Sequence, residues 1–237
     1  MRPLERFAEL VKNARNIVFF GGAGVSTESG VPDFRSVDGL YNQKFRFPPE
    51  TMLSRSFFDR HPEEFYDFYR DKMLPLDVQP NSVHKKLAEL EQQGKLRAVV
   101  TQNIDGLHQK AGSKVVHELH GSVLRNYCMR CRKFHPAEFI RDSVGVPRCS
   151  CGGIVKPDVV LYEEGLNEAV MDAAIDAIYA CDLLIVGGTS LVVYPAAGLL
   201  HYFKGEHLVL INRDETPYDH MAELVIHDSL GKVFAQI

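Results

Sequence analysis

The chain has 237 residues, enough to bury a substantial core and suited to one α/β domain with room for a small insert. Charged residues are mixed and the formal net charge is −4, so there is no electrostatic case for a specific nucleic acid or a membrane surface as main partner. No apolar run approaches a membrane span and no signal-peptide pattern opens the chain, so a cytoplasmic protein is expected.

Residues 4–14 carry apolar side chains at Leu4, Phe7, Ala8, Leu10 and Val11, the stripe of an amphipathic helix. Residues 17–20 are four apolar residues of β-branched and aromatic type and read as a buried strand of a parallel sheet. They run into Gly21-Gly22-Ala23-Gly24-Val25-Ser26. A strand, a glycine-rich turn and a helix N-terminus together make an anion site, because exposed backbone N–H groups and the helix dipole both favour phosphate. Val25, Ser26 and Thr27 stand where a third glycine would complete the dinucleotide fingerprint. On this segment alone a plain strand-to-helix turn stays open. Gly30-Val31-Pro32-Asp33-Phe34-Arg35-Ser36 then adds a rigid proline, an acid, an aromatic and an arginine, a set an ordinary turn does not need.

Residues 50–74 are dense in Phe, Tyr and Met, with Phe57, Phe58, Phe65, Phe68 and Tyr69 at mostly helical spacing. They fit helices packed on a core, and they also fit the wall of an apolar pocket. Residues 81–92 form an amphipathic helix, capped by Asn81 or Ser82 and ended by Gly94. Residues 96–100 are the next strand, leaving through Thr101-Gln102-Asn103-Ile104-Asp105. Polar groups just past a buried strand are functional candidates in an open α/β sheet, although local capping would use the same side chains. A shorter strand at 115–119 ends at His120, well placed for general-base work. His117 faces the other way and reads as structural; His84 and His108 have no comparable context.

Four of the five cysteines fall within 24 residues, as Cys128-x-x-Cys131 and Cys149-x-Cys151. Two close pairs predict a tetrahedral four-thiolate zinc site in a reducing compartment, structural because no coordination position stays open. A redox Cys-x-x-Cys is the alternative. The insert from 123 to 155 is too polar and short to fold without such a clasp. Residues 156–164 are expected to re-enter the main sheet. A helix at 168–180 leads to a strand at 181–186, with Cys181 in the core, and to Gly187-Gly188-Thr189-Ser190. Pro195 starts a helix, and a strand at 207–211 ends in Asn212-Arg213-Asp214. Several strands ending in small or polar groups point to one long crevice able to hold a dinucleotide.

The motifs Gly22-Ala23-Gly24-Val25-Ser26, Gly30-Val31-Pro32-Asp33-Phe34-Arg35, Thr101-Gln102-Asn103-Ile104-Asp105, His120-Gly121-Ser122, the four cysteines, Gly188-Thr189-Ser190 and Ile211-Asn212 occur in one order over nearly the whole chain. In this the chain resembles a sirtuin, an NAD-dependent protein lysine deacylase, and in its shortness the bacterial members. The resemblance implies a Rossmann-like parallel-sheet domain (1–38, 76–122 and 156–237) and a smaller domain made of a helical insert (39–75) and a zinc-ribbon-like insert (123–155). Two departures stand out. The Phe-Gly-Glu of the acyl-lysine groove reads Tyr162-Glu163-Glu164, and the Tyr-x-x-Arg of desuccinylating members reads Tyr66-x-x-Tyr69, which leaves an acidic acyl group without its cation.

The resemblance further implies that NAD is consumed as a co-substrate, with its pyrophosphate on the Gly22–Ser26 turn near Thr189 and Ser190 and its adenosine ribose on Asn212. Nicotinamide would sit against Phe34, Ile104 and Asp105, near Asn103, and leave as the acyl oxygen attacks the ribose, giving an alkylimidate. His120 would then deprotonate the ribose hydroxyl that attacks the imidate, releasing lysine and O-acyl-ADP-ribose. Cofactor contact extends by the same implication to Thr27, Asp33, Arg35, Gln102, Gly188, Arg213 and, near the C-terminus, Asp228. The acyl-lysine peptide would add as a strand between Val159, Val160 and Tyr162 on one side and Val192 and Val193 on the other. Three rivals are an ADP-ribosyltransferase in the same pocket, a non-catalytic NAD-binding module, and a zinc-ribbon nucleic-acid binder, the last of which needs a basic surface.

Overall fold

The computed structural model describes residues 2–33 and 46–237. Their strands form two sheets. β1 (Ile17–Gly21), β2 (Leu96–Thr101) and β3 (Val116–Glu118) belong to the first; β4 (Gly121–Cys128), β5 (Phe134–Pro136) and β6 (Val155–Val159) form the second. β7 (Leu183–Gly187), β8 (His207–Ile211) and β9 (Leu224–Ile226) complete the first, which runs β3-β2-β1-β7-β8-β9 with every pair parallel. The helices are α1 (Pro3–Asn13), α2 (Pro49–Met52), α3 (Arg55–Arg60), α4 (Pro62–Lys72) and α5 (Ser82–Gln92), then α6 (Leu107–Ala111), α7 (Ala137–Asp142), α8 (Glu168–Ala180) and α9 (Leu230–Phe234).

A parallel sheet needs crossover connections, and these lay helices on both faces; that is why β1 and β7 are apolar along their whole length and wholly buried. Ile17 and Phe19 point to the face covered by Phe7 of α1, Leu87 of α5 and Phe234 of α9. Val18 and Phe20 point to the other, where Ala174 and Ile178 of α8 meet Leu199 and Leu200. Asn81 caps α5 with its side-chain oxygen, which accepts from the backbone N–H of Val83 at 3.0 Å.

The second core lies between α2–α4 and the antiparallel β5-β4-β6 sheet, with Phe57, Phe58, Phe65 and Tyr66 packed on Val123, Val155 and Ile140. Residues 156–159 therefore do not rejoin the main sheet as the sequence suggested. They pair antiparallel with β4, Val159 opposite Gly121 and Val155 opposite Cys128, where the chain leaves the His120 turn. Gly121 makes that turn possible: its φ is +76° and a Cβ there would stand 1.9 Å from the carbonyl oxygen of Asp158. The aromatics of 50–74 are core residues. Tyr66 and Tyr69 are wholly buried, and the Tyr66 hydroxyl donates to the Val155 carbonyl. No helix among the described residues is long and apolar enough to cross a membrane.

One buried feature escaped the sequence reading. His84 and His108 lie against each other inside the first core, centroids 4.7 Å apart and ring planes tilted by 60°, and neither ring nitrogen of His108 has a partner among the described residues. Burial pushes His84 down to about 4, and burial with His84 beside it pushes His108 to about 3. The unfolded chain takes up these protons near pH 6.5 and the folded chain does not. Stability contributed by the neutral pair is thus full above pH 6.5 and is lost as pH falls from there toward 4. Urea unfolding at pH 7 and at about pH 4.5 should show a loss in His108→Leu smaller than in the parent by roughly 2–3 kcal/mol. Equal losses would contradict the neutral pair.

Candidate active site

The order of the main sheet reverses between β1 and β7, so the chain leaves their carboxyl ends in opposite directions and opens a crevice between them. The two loops meet backbone to backbone. Gly24 N–H donates to the Gly188 carbonyl at 2.8 Å, and a Cβ on Gly24 would lie 2.7 Å from the Gly188 Cα. Gly188 itself has φ +62°, with its missing Cβ aimed at Val25 N. The close approach that a third glycine in the first turn would serve is supplied by this glycine of the second loop.

Above these loops lies a cavity of about 510 Å³. The expected residues of the first turn and its continuation, Gly22, Ala23, Gly24, Ser26, Thr27 and Asp33, line it. So do Gln102, Asn103, Ile104 and Asp105 after β2, His120 after β3, and Gly188, Thr189 and Ser190 after β7. Asn212 and Arg213 after β8 and Asp228 after β9 close one end; Val159, Val160 and Tyr162 with Val193 line another stretch. Phe34 and Arg35 lie outside the described residues.

Its polar floor is a connected set. Ser26 donates its hydroxyl to Asp105 Oδ2 at 2.7 Å and accepts from Asn103 Nδ2 at 3.1 Å. The other Asp105 oxygen accepts from Leu107 N–H at 2.9 Å. Burial raises the Asp105 carboxyl above the ordinary range, and these two donors hold it down in part. Gln102 fastens the second loop, donating from Nε2 to Thr189 Oγ1 at 3.0 Å.

His120 is held differently. Its Nδ1 sits 2.9 Å from the Gln102 carbonyl oxygen, which can only accept, so Nδ1 carries the proton and Nε2 keeps a lone pair. Burial lowers its pKa, opposed in part by that hydrogen bond, so the ring is a neutral base at pH 7.

Asn212 turns back to the Asp214 carbonyl at 2.8 Å, Arg213 stands 3.8 Å from Asp33, and Asp228 accepts from Ser229 N–H at 2.9 Å. Ser229 and Leu230 line the wall beside Asp228; the strand-end rule applied to β9 would have found them. Glu28 was also missed, and it accepts from Gly231 N–H at 3.0 Å. Leu53, Met73 and Pro75 add apolar wall; the first two belong to the 50–74 segment that the sequence left open as a pocket wall, and Pro75 follows it.

The four cysteines of the second core converge. Their sulfurs all lie within 4.8 Å of one another, with Cys128 to Cys151 at 3.4 Å and Cys131 to Cys149 at 3.7 Å. Zinc–sulfur bonds of about 2.3 Å place tetrahedral sulfurs about 3.8 Å apart, so the set fits zinc. The N–H groups of Arg130 and Cys131 point at Cys128 Sγ at 3.4 and 3.5 Å, which favours the thiolate. None of the four lines the cavity.

Residues 22–195 match the model of the Sir2 family. A Clostridium perfringens protein named NAD-dependent protein deacetylase is 60% identical over 238 aligned positions, covering 99% of this chain and 98% of its own. A solved Sir2 chain with deacetylated p53 peptide and 3′-O-acetyl-ADP-ribose superposes with a TM-score of 0.91 at 40% identity, covering 98% of this chain and 96% of its own. A second, Sir2Tm bound to a propionylated peptide, has a TM-score of 0.88 at 40% identity over 98% and 96%.

Purified protein should carry one zinc per chain. Cys131→Ala should lose the metal and lower the thermal midpoint of the whole chain, since the second core closes over this cluster. Metal analysis together with a melting curve checks both; iron–sulfur absorbance, or full stability without metal, would contradict the assignment.

Proposed function

The chain belongs to the Sir2 family, and on that premise we propose that it removes acetyl groups from protein lysine side chains, consuming NAD and releasing nicotinamide, O-acetyl-ADP-ribose and free lysine. The observation that carries the reading is the state of His120. A neutral imidazole with its Nδ1 proton given to Gln102 keeps Nε2 as a proton acceptor, on a residue that lines the same cavity as the Gly22–Gly24 and Gly188–Ser190 loops. Such a group takes a proton from a ribose hydroxyl and contributes about 10²–10⁴-fold.

The other roles follow from position. The Gly22–Gly24 turn, Thr189 and Ser190 take the pyrophosphate of NAD, and Asn212, Arg213 and Asp228 lie toward its adenosine end. Asn103, Ile104 and Asp105 take the nicotinamide side; Asp105 is braced by Ser26 and Leu107, so its carboxyl group is fixed in place before substrate arrives. Phe34 and Arg35 keep the roles that the resemblance implies. The acylated lysine enters between Val159, Val160 and Tyr162 and the Val193 loop, as a strand added to β6. Leu53, Met73 and Pro75 offer an apolar acyl site, which suits acetyl and propionyl groups. Reduced thiols for the zinc cluster and a supply of NAD suit the cytoplasm.

ADP-ribosyl transfer in the same cavity is the competing chemistry, and it has no use for His120. His120→Ala should abolish deacetylation of an acetyl-lysine peptide while NAD binding stays within about twofold and nicotinamide exchange falls far less than product formation. Asn103→Ala should impair exchange itself. A His120 variant that deacetylates at the parent rate, or loses exchange and NAD binding to the same degree, would contradict these roles. Because His120 lies below its ordinary value, the acid limb of kcat/KM for deacetylation should fall below about pH 6.5, with activity lost as pH drops through it.

Acyl choice gives a separate test. Tyr66 and Tyr69 are buried away from the cavity, and Lys72, which lines it beside Met73, pairs with Asp71 at 3.0 Å. A succinyl carboxylate would lose hydration against an apolar wall, so acetyl- and propionyl-peptides should exceed succinyl-peptide in kcat/KM by about tenfold or more. The reverse order would contradict the apolar acyl site.

A further inference from the structure

Glu163 is one of three non-glycine residues among those described whose φ lies in the left-handed region, at +75°. It is also the one whose side chain fastens the loop after β6 to the helical part of the second core. Its Oε2 accepts from Ser56 N–H at 2.8 Å and its Oε1 from the Ser56 hydroxyl at 2.9 Å. A carboxylate taking both donors of one serine makes two charge-assisted bonds in a fixed direction. The grip and the unusual φ occur together at this residue.

Neighbouring bonds draw the same line. Arg55 N–H donates to the Tyr162 carbonyl at 2.9 Å, and Tyr162 N–H donates to the Leu53 carbonyl at 3.0 Å. Glu164 accepts from Arg55 Nη1 at 3.0 Å, from Lys156 Nζ at 3.1 Å and from Leu161 N–H at 2.9 Å. At the other end Val160 N–H donates to the His120 carbonyl at 3.0 Å. Residues 160–162 are thus strung between His120 and the start of α3, and both Tyr162 and Glu163 line the cavity.

We infer that Glu163 is a positioning residue for the acylated peptide: by gripping Ser56 it holds the 160–162 segment, just beyond β6, in one conformation before substrate binds. The inference rests on the reading that this segment receives acyl-lysine peptide. A segment ordered in advance spares the peptide the entropy of ordering it, which is a binding effect and not a chemical one. NAD contacts the other loops, so its KM should not move.

Three variants separate the grip from the strain. Glu163→Gly removes the carboxylate and relieves the backbone, so it folds at least as well as Glu163→Ala, which removes the carboxylate and keeps the strain. Glu163→Gln retains an acceptor and a donor for Ser56. With acetyl-lysine peptide as varied substrate, Glu163→Gly and Glu163→Ala should raise peptide KM about tenfold, leaving kcat and KM for NAD within about twofold, and Glu163→Gln should restore most of it. Unchanged peptide KM in Glu163→Gly, or a loss confined to melting temperature or kcat, would overturn the inference while leaving the deacetylase reading intact. Absence of NAD-dependent deacetylation in the parent protein, assayed alongside, would overturn that reading and this inference with it.

Discussion

The hydrogen bond from Gly24 N–H to the Gly188 carbonyl is the constraint on which the site depends. It joins the loops after β1 and β7 where the sheet order reverses, and it exists only because neither residue carries a Cβ. With the two loops in contact, Thr27, Thr189 and Ser190 line one cavity. Gln102 then ties the β2 loop to Thr189, and His120 is oriented in turn by the Gln102 carbonyl. A chain of contacts therefore runs from the Gly22–Gly24 turn to His120.

The second core serves the site from outside. Its helices and its cysteine-clasped sheet have their own buried cluster, yet β4 begins at the residue after His120 and β6 ends at the proposed peptide edge. The turn at Gly121 and the antiparallel register of β4 with β6 thus fix His120 relative to Val159 and Val160. Loss of the metal would loosen the sheet at its far end, and the disturbance would reach the cavity through β4 and β6 rather than by any contact with the ion.

What could be read in advance, and what could not, divides along the range of the interactions. Strands such as β1 and β7 were legible because a buried parallel strand is apolar at every position, and their glycine-rich exits were legible because backbone must approach backbone there. The cysteine pairs were legible through spacing alone. The pairing of residues 156–159 was not: it depends on where β4 leaves the His120 turn, a long-range fact that local pattern does not hold. The same limit hid His84 and His108, whose meeting requires α5 to pack on α6. Glu163 was visible as a departure from the family pattern, but its bond to Ser56 had no signature in the chain.

If one cavity couples cleavage of NAD to removal of the acyl group, the products of a single reaction of purified protein with acetyl-lysine peptide and NAD, followed by mass spectrometry, should be nicotinamide, deacetylated peptide and O-acetyl-ADP-ribose in equal amounts, with none formed when NAD is omitted. Nicotinamide formed without deacetylated peptide, with ADP-ribose attached to protein or peptide, would contradict it.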